Sequence, residues 1–321
     1  MRVLLAPMDG VIDHTMRALL CQAGSIDRCV TEFIRVTNRL LPDKVFNRYC
    51  PELAHGGHTR CGVPVYIQLL GSNPQALAEN ARLAVQLGAP GIDLNFGCPA
   101  KTVNRHDGGS VLLQTPGRVF DIVQAVRESV PREIPVTVKI RLGFNDSSQL
   151  HENVRAIVDA GADELAIHAR TRLDGYKPPA HWPQIAQISA DCPIPVIANG
   201  EIWTTDDYQR CIEQSGCRDV MLGRGALACP NLSQQIKAKD RGEVLVSLAW
   251  PEVCRLVENA FFSTLQQYDT QHVGGRVKQW LVYLNRQYPE AIELFETVKR
   301  YRDPELYQQA FSQSIARSSG Y

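Results

Sequence analysis

The chain has 321 residues, of which 44% are hydrophobic and 21% are charged, as is ordinary for a globular protein with a large core. Its 34 basic and 34 acidic residues cancel, so the overall charge does not indicate a nucleic-acid partner unless basic groups gather on one face. The sequence contains no run of eighteen or more apolar residues, so no membrane-spanning helix is expected. The N-terminus lacks a signal-peptide core, so we expect a cytoplasmic protein.

The first 225 residues alternate between short apolar runs and helical patterns. Eight runs are mostly apolar on both faces, as buried parallel strands are. They are Val3–Ala6, Cys29–Phe33, Val65–Leu70, Gly91–Asn95, Val136–Arg141, Glu164–His168, Val196–Asn199 and Asp219–Leu222. Eight strands alternating with helices predict an α/β fold, the (β/α)₈ or TIM barrel. An open doubly wound sheet is the alternative, but it would favour an early GxGxxG turn, which is missing.

From about residue 240 the pattern is helical, with amphipathic stretches beginning at Trp250 and centred near Trp280 and Leu294. We therefore predict two domains. Residues 1–241 would form the barrel, and residues 242–321 would form a small all-helical domain. We expect the last residues, 314–321, to fray.

Ten cysteines are scattered without a CxxC pair, which indicates reduced thiols. Cys50, His55, His58 and Cys61 lie within twelve residues and are residue types that bind zinc. Their spacing matches no standard zinc site, so we predict a solvated loop and no metal.

Polar residues follow almost every predicted strand, and in barrels the C-terminal strand ends form the active-site face. Glycine-containing turns at 199–201 and 223–225 follow the last two strands, where barrels commonly bind phosphate, and Arg224 adds a charge. Tight turns alone would be the structural alternative. Lys139 lies in an apolar strand, where it needs an anion such as a reduced flavin ring unless it reaches solvent. Gln68 could contact the same ring, and His168 could be either a ligand contact or a buried core histidine.

Cys98 differs from the other cysteines because it lies just beyond a predicted barrel strand, between Gly97 and Pro99. Its thiol could act as a nucleophile, a metal ligand or an acid. No further ligands are evident nearby, and the nearest histidine in the sequence is His106. An acid needs only reach and a thiol proton, which the ordinary pKa of about 8.5 allows.

Several motifs in this order resemble the tRNA-dihydrouridine synthases over nearly the whole chain. They are residues 6–13 (APMDGVID), 68–71 (QLLG), 93–99 (DLNFGCP), 138–141 (VKIR), 167–171 (IHART) and 198–200 (ANG). The stretch LNFGCP is the most specific. Residues 31–36 and 276–280 resemble the bacterial C-type branch, which modifies U16 in the D-loop of tRNA. Ala100 departs from the serine common in the family.

The resemblance implies FMN as the cofactor, NADPH as the reductant and Cys98 as the proton donor. The implied FMN contacts are Pro7, Met8, Asp9, Gln68, Lys139, His168, Asn199, Gly200, Glu201, Gly223 and Arg224. The implied tRNA contacts are Arg35, Asn95, Tyr176, Arg276 and Lys278, with the C-terminal helices holding the tRNA. Six basic and three acidic residues between 276 and 302 support this modestly.

The implied reaction adds a hydride at C6 and a proton at C5 of a uridine extracted from folded tRNA. FMN N5 would deliver the hydride after NADPH has reduced the flavin, and the enzyme would act as a monomer. Two alternatives remain open. One is an FMN barrel acting on a small pyrimidine or enone, and the other is a non-catalytic RNA-binding protein.

Overall fold

The strands form where short apolar runs have no polar face, because parallel strands buried on both sides need none. The computed structural model describes residues 1–266 and 270–318, apart from the side chains of 270–273. Within these residues, nine parallel strand segments form one sheet. They are β1 (Val3–Leu5), β2 (Arg28–Val30), β3 (Ile34–Arg35), β4 (Val65–Leu70), β5 (Ile92–Phe96), β6 (Val136–Arg141), β7 (Glu164–His168), β8 (Val196–Asn199) and β9 (Asp219–Leu222).

The sheet closes into a barrel, because β1 pairs with both β2 and β9 and the remaining strands pair in sequence from β4 to β9. Both β2 and β3 pair with β4, so they are two parts of one interrupted barrel strand. The predicted eight-stranded barrel is therefore confirmed. The prediction of one continuous second strand over 29–33 is wrong, because Glu32 and Phe33 leave the strand. The Glu32 carboxylate accepts a hydrogen bond from the Gly10 N–H at 2.5 Å, and Phe33 lines the cavity described below.

Helices cover the outside of the barrel. They are α1 (His14–Ala23), α2 (Asp43–Tyr49), α3 (Pro74–Gln86), α4 (Lys101–Arg105), α5 (Pro116–Ser129), α6 (Leu150–Asp159), α7 (Trp182–Ser189), α8 (Thr205–Ser215), α9 (Arg224–Ala228) and α10 (Leu232–Asp240). Short 3₁₀ helices span Pro51–His55 and Gly109–Gln114. The local sequence determines where several of these helices begin. At α8, for example, the Thr204 hydroxyl and the Asp207 carboxylate form a capping box.

Strand geometry sorts the inward-facing side chains into two layers, since alternate residues of a strand face the same way. The deeper part is mostly apolar and includes the cluster Leu4, Ala6, Val30, Tyr66, Ala166, Ile197 and Met221, to which β5 and β6 add the buried polar side chains of Asp93 and Thr137. Two residues further along β4, β7 and β8, the equivalent positions hold Gln68, His168 and Asn199. The barrel therefore has a mostly apolar floor beneath a polar layer at its C-terminal end.

After the barrel, the described residues form helices α11 (Trp250–Leu265), α12 (Thr270–Leu284), α13 (Glu290–Val298) and α14 (Pro304–Ser318). The predicted helical C-terminal region is confirmed, while the boundary at 241/242 stays a prediction. Helix α14 was not predicted. Residues 314–318, expected to fray, belong to it, and residues 319–321 lie outside the described part. The Trp280 indole N–H donates to the Leu227 carbonyl at 3.0 Å, which joins the helical region to α9.

Candidate active site

A cavity of about 710 Å³ opens at the C-terminal ends of the strands. All eleven residues predicted to contact a cofactor line it, as do Cys98, Asn95 and Tyr176. Further lining residues are Ala6, Val11, Phe33, Gly97, Pro99, Ala100, Arg141, Ile202, Trp203, Met221, Gly225 and Tyr283. Its size is in the range that binds cofactors and drug-sized ligands. The fold thus brings together residues from position 6 to position 283 of the sequence.

Local hydrogen bonds fix the loop that holds Cys98. The Asn95 side-chain oxygen accepts from the backbone N–H groups of Gly97 and Cys98, both at 2.9 Å. The Cys98 carbonyl accepts from the Asn104 amide at 2.9 Å and the Ser110 hydroxyl at 2.9 Å. Asn104 and Ser110 could not be predicted from the sequence, because hydrogen bonds to a carbonyl leave no motif in a single sequence.

The surroundings of Cys98 favour its thiol form. Burial and the nearby carboxylate of Asp9 raise the pKa of Cys98, and they outweigh the lowering by the Ala100 N–H and Arg141. The side chain is half-buried in the cavity wall. His106 instead bonds through its ring nitrogen to the Thr102 carbonyl at 2.7 Å. A protonated thiol fits an acid better than a nucleophile, which works as the thiolate.

Lys139 lies deep in the cavity wall, on β6. Its ammonium group donates to the Asn199 side-chain oxygen at 3.0 Å, and the Asn199 amide in turn donates to the Met221 carbonyl at 2.8 Å. Burial and the positive charge of Arg141 lower the pKa of Lys139 to about 8. Lys139 is therefore a cation at neutral pH, with ammonium hydrogens left to meet an anion.

Gln68 and Asn95 belong to a buried polar chain across β4, β5 and β6. The Gln68 amide donates to the Asp93 carboxylate at 2.7 Å, and its oxygen accepts from the Asn95 amide at 2.8 Å. The Thr137 hydroxyl donates to the second Asp93 oxygen at 2.5 Å. Gln68 is thus held in one orientation and has one N–H left for a ligand.

His168 lies on β7 and is 6% exposed. Burial lowers the pKa of His168 well below its ordinary value, and the nearby cations Arg141, Lys139, Arg170 and Arg224 lower it further. The ring is therefore neutral at pH 7. Gly200 permits this packing, because its φ is +114° and a Cβ there would lie 2.8 Å from the His168 Cδ2.

The loops predicted to bind phosphate meet around Glu201. Its carboxylate accepts from the Arg170 guanidinium, which is completely buried, and from the Trp203 indole N–H at 2.9 Å. Arg224 lies 3.6 Å from the same carboxylate. Because Arg170 and Trp203 already engage Glu201, the Arg224 guanidinium stays available to an anion.

Arg141 joins two loops at the rim of the cavity, a role that was not predicted from the sequence. Its guanidinium donates to the Gly97 carbonyl at 2.8 Å, beside Cys98, and to the carbonyls of Thr171 at 3.0 Å and Gly175 at 2.8 Å. It also lies over the Tyr176 ring, 5.1 Å from the centroid. Its position two residues after Lys139 on β6 was the available signal, since both side chains then face the same side.

The predicted tRNA contacts divide into two groups. Asn95 and Tyr176 line the cavity, whereas Arg35, Arg276 and Lys278 do not. Arg35 is exposed at the end of β3. Arg276 donates to the Gly10 carbonyl at 2.6 Å and lies at the rim, but Lys278 lies 3.5 Å from the Tyr301 carbonyl and over the Tyr307 ring, within the helical region.

The residues considered as zinc ligands are not equivalent in the fold. Cys50 is buried, Cys61 is exposed, and His58 bonds to the Gly56 carbonyl. Among the residues that the structure describes, no group of three or more His, Cys, Asp or Glu side chains is arranged to hold a metal ion. In the same residues, no helix combines the length and apolarity required to cross a membrane.

Three solved structures share the barrel. A 2-naphthoyl-CoA reductase in complex with 2-naphthoyl-CoA is 14% identical with a TM-score of 0.56, covering 75% of this chain and 50% of that one. An old yellow enzyme homologue from Zymomonas mobilis is 15% identical with a TM-score of 0.51, covering 74% and 88%. A histamine dehydrogenase from Rhizobium sp. 4-9 is 16% identical with a TM-score of 0.57, covering 74% and 46%. At these identities the likeness shows the fold.

Sequence comparison is more specific. The family model described as dihydrouridine synthase matches residues 4–318. A tRNA-dihydrouridine(16) synthase from Shewanella oneidensis is 50% identical over 305 residues, covering 95% of each chain. Relatives with the same name are 48% identical in Pseudomonas syringae pv. tomato, covering 94% of this chain and 96% of that one, and 47% identical in Haemophilus influenzae, covering 93% and 95%. The chain belongs to the dihydrouridine synthase family.

Proposed function

We propose that this protein reduces the C5–C6 double bond of a uridine in the D-loop of tRNA to give 5,6-dihydrouridine. The observation that carries the proposal is one cavity that holds a half-buried thiol with a raised pKa, the buried Lys139 and two glycine-containing loops. Relatives named tRNA-dihydrouridine(16) synthase, about half identical over nearly the whole length, support U16 as the target.

The cavity fits FMN by volume and by the chemistry of its donors. Lys139 and the amides of Gln68 and Asn199 would hold the polar edge of the ring, and Arg224 with the backbone of 200–201 and 223 would hold the phosphate. Bound FMN, reduced by NADPH, supplies the hydride that C6 of uridine requires. The remaining predicted contacts, from residues 7–9 and from His168, line the same cavity.

Cys98 would hold the proton that C5 of the base requires. Asn95 fixes the loop through the N–H groups of Gly97 and Cys98, so the backbone that carries the thiol is held in place without bound substrate. Tyr176 is 55% exposed at the rim, where the guanidinium groups of Arg141 and Arg224 lie over its ring, and its exposed part would contact an incoming base. Binding, orientation and proton donation would then all come from one cavity wall.

The C-terminal helices would bind the folded tRNA that presents the uridine. Extracting a base from stacked RNA costs about a few kcal/mol, so contacts outside the cavity must compensate. Arg276 at the rim and the exposed Arg35 are suited to phosphate contacts. We propose that the protein acts as a monomer in the cytoplasm, where tRNA is modified.

The test maps dihydrouridine by mass spectrometry in tRNA from cells lacking this protein and from the same cells supplied with it. We expect loss at position 16 alone and restoration by the wild-type chain. Purified protein with FMN and NADPH should also reduce unmodified tRNA. Reduction of free uridine at a matching rate would contradict the RNA substrate and favour a small-molecule reductase.

A further inference from the structure

The indole ring of Trp203, which the proposed reaction does not use, lies between the barrel and the C-terminal helices. The guanidinium carbon of Arg224 is 4.9 Å from the centroid of the Trp203 ring, and that of Arg286 is 4.0 Å away. Trp203 follows β8, whereas Arg286 follows α12 in the helical region. A single aromatic ring therefore connects the cavity wall to the helical region.

Hydrogen bonds hold Trp203 at both ends. Its backbone N–H donates to the Asp207 carboxylate at 3.0 Å, at the start of α8, and its indole N–H donates to the Glu201 carboxylate at 2.9 Å. The ring cannot turn without breaking the second of these bonds. It therefore offers a fixed face on which a planar guanidinium group can stack.

Arg224 has donors to spare. Within the part of the chain that the structure describes, its guanidinium makes no hydrogen bond, and it packs against the rings of Tyr176 and Trp203. The nearest carboxylate, Glu201, is 3.6 Å away and is engaged by Arg170. Stacking therefore fixes the plane of Arg224 while its N–H groups remain free for a bidentate anion.

Arg286 adds a second positive charge beside the same ring. Arg224 shares the single carboxylate of Glu201 with Arg170, so positive charge is in excess there, and a dianionic phosphate on Arg224 would be attracted to Arg286 as well. Among the described residues, no acidic side chain forms an ion pair with Arg286, which lies against the Trp203 ring. The arrangement is therefore suited to a doubly charged ligand rather than to a neutral one.

We propose that Trp203 and Arg286 are positioning residues for the phosphate of the bound flavin nucleotide. Trp203 holds Arg224 in the plane that the phosphate needs, and Arg286 supplies additional positive potential from the helical region. This inference rests on the proposed function, because it requires a flavin phosphate at Arg224. It gives the C-terminal helices a part in retaining the cofactor, in addition to their proposed contact with RNA.

The experiment compares FMN with riboflavin, which has the same ring but no phosphate. Each is titrated into flavin-free protein, and its dissociation constant is measured by quenching of flavin fluorescence. We expect Arg286→Gln and Trp203→Leu to bind FMN roughly three- to thirty-fold more weakly and riboflavin as the wild type does. Trp203→Phe, which keeps a ring face, should recover most of the FMN affinity.

Arg255→Gln is the matched control, since it removes an exposed arginine from α11 of the same helical region. Thermal unfolding of each flavin-free variant checks that it is folded. Unchanged FMN affinity in the variants, or equal losses for FMN and riboflavin, would overturn the inference alone, because a general structural defect does not distinguish the two ligands. Wild-type protein that binds neither flavin would overturn the inference and the proposed function together.

Discussion

Cys98 and Lys139 have opposite protonation preferences that suit opposite tasks. Burial and Asp9 raise the pKa of Cys98, so the thiol keeps its proton. Burial and Arg141 lower the pKa of Lys139 to about 8, so its positive charge is marginal above neutral pH. A proton donor and a charge stabiliser are both needed for a reduction that adds a hydride and a proton.

For Cys98→Ala we expect normal flavin binding and a loss of dihydrouridine formation of about a hundredfold or more, because the proton donor is removed while the wall around it remains. Absorbance of the bound flavin and mass analysis of tRNA measure the two effects. Cys192→Ala is the matched control, since Cys192 is also partly buried with a raised pKa but does not line the cavity. Unchanged product from Cys98→Ala would remove Cys98 from its role.

Lys139 has a pKa of about 8 in the flavin-free protein, and an anionic flavin beside it would raise that pKa, so turnover should fall as the pH rises through about 8 or higher. In Lys139→Arg the positive charge persists to higher pH. The fall of turnover with pH should therefore move to higher pH, even if the maximal rate of this variant differs from that of the wild type. Steady-state rates from pH 6 to 10 provide the check. A variant profile that still falls near pH 8 would assign the titration to another group.

The loop 97–109, which forms part of the cavity wall, requires a glycine at position 109. Gly109 has a φ of +68°, and a Cβ there would lie 2.8 Å from the Cys98 carbonyl oxygen and 3.0 Å from the Cys98 Cβ. Gly56 has a similar φ of +67°, but nothing lies within 4 Å of its Cβ position. The two glycines share the backbone requirement and differ only in their neighbours.

In both Gly109→Ala and Gly56→Ala, the left-handed backbone should lower the free energy of unfolding by about 1 kcal/mol. Gly109→Ala should lose more, because its new Cβ would also crowd Cys98. Only Gly109→Ala should also lower the turnover of tRNA, because it displaces Cys98. Urea unfolding and single-turnover rates separate the two effects. Equal rates in both variants would show that the thiol tolerates this displacement.

Elements with a strong local pattern could be predicted from the sequence, and elements defined by packing could not. The strands from β4 to β9 were predicted nearly to the residue, because each is a short and mostly apolar run between helical segments. Helix α14 was missed, since only Tyr307, Ala310 and Phe311 are buried among many polar residues. The break between β2 and β3 depends on Glu32 meeting Gly10, a contact between distant positions.

Across the whole molecule, we expect tRNA to bind along the rim that joins the barrel to the helices. Arg276 bridges this rim, with one N–H on the Gly10 carbonyl and the guanidinium 3.5 Å from the Asp13 carboxylate. It remains partly exposed and can reach a phosphate. Lys278 is less well placed, because it is directed towards Tyr301 and Tyr307 of its own region.

We expect Arg276→Ala to weaken tRNA binding and to reduce the slope of log K against log salt by about one, because one phosphate contact is lost. Filter binding at several salt concentrations measures this slope. Arg255→Ala, on α11, should leave both affinity and slope unchanged. The role of Arg276 would be rejected if its variant kept the wild-type slope.

The eleven cofactor candidates and Cys98 could be placed at one site from the sequence, because the barrel brings the carboxyl ends of its strands together. The contributions of Trp203 and Tyr283 could not be predicted in this way. Both line the cavity, but Tyr283 reaches it only because α12 packs against α9. Docking of one region on another depends on shape, which a single sequence does not display.

The three carbonyls bound by Arg141 have a mechanical consequence. One guanidinium ties the Cys98 loop to the segment that ends at Tyr176, so the two sides of the entrance cannot separate without breaking buried bonds. An RNA base must then enter through a gap of fixed width, because the two loops do not move apart to admit it. Hydrogen exchange of the backbone amides should show one shared rate of opening for the two loops. The width of the entrance would then select for a flat, unstacked ring.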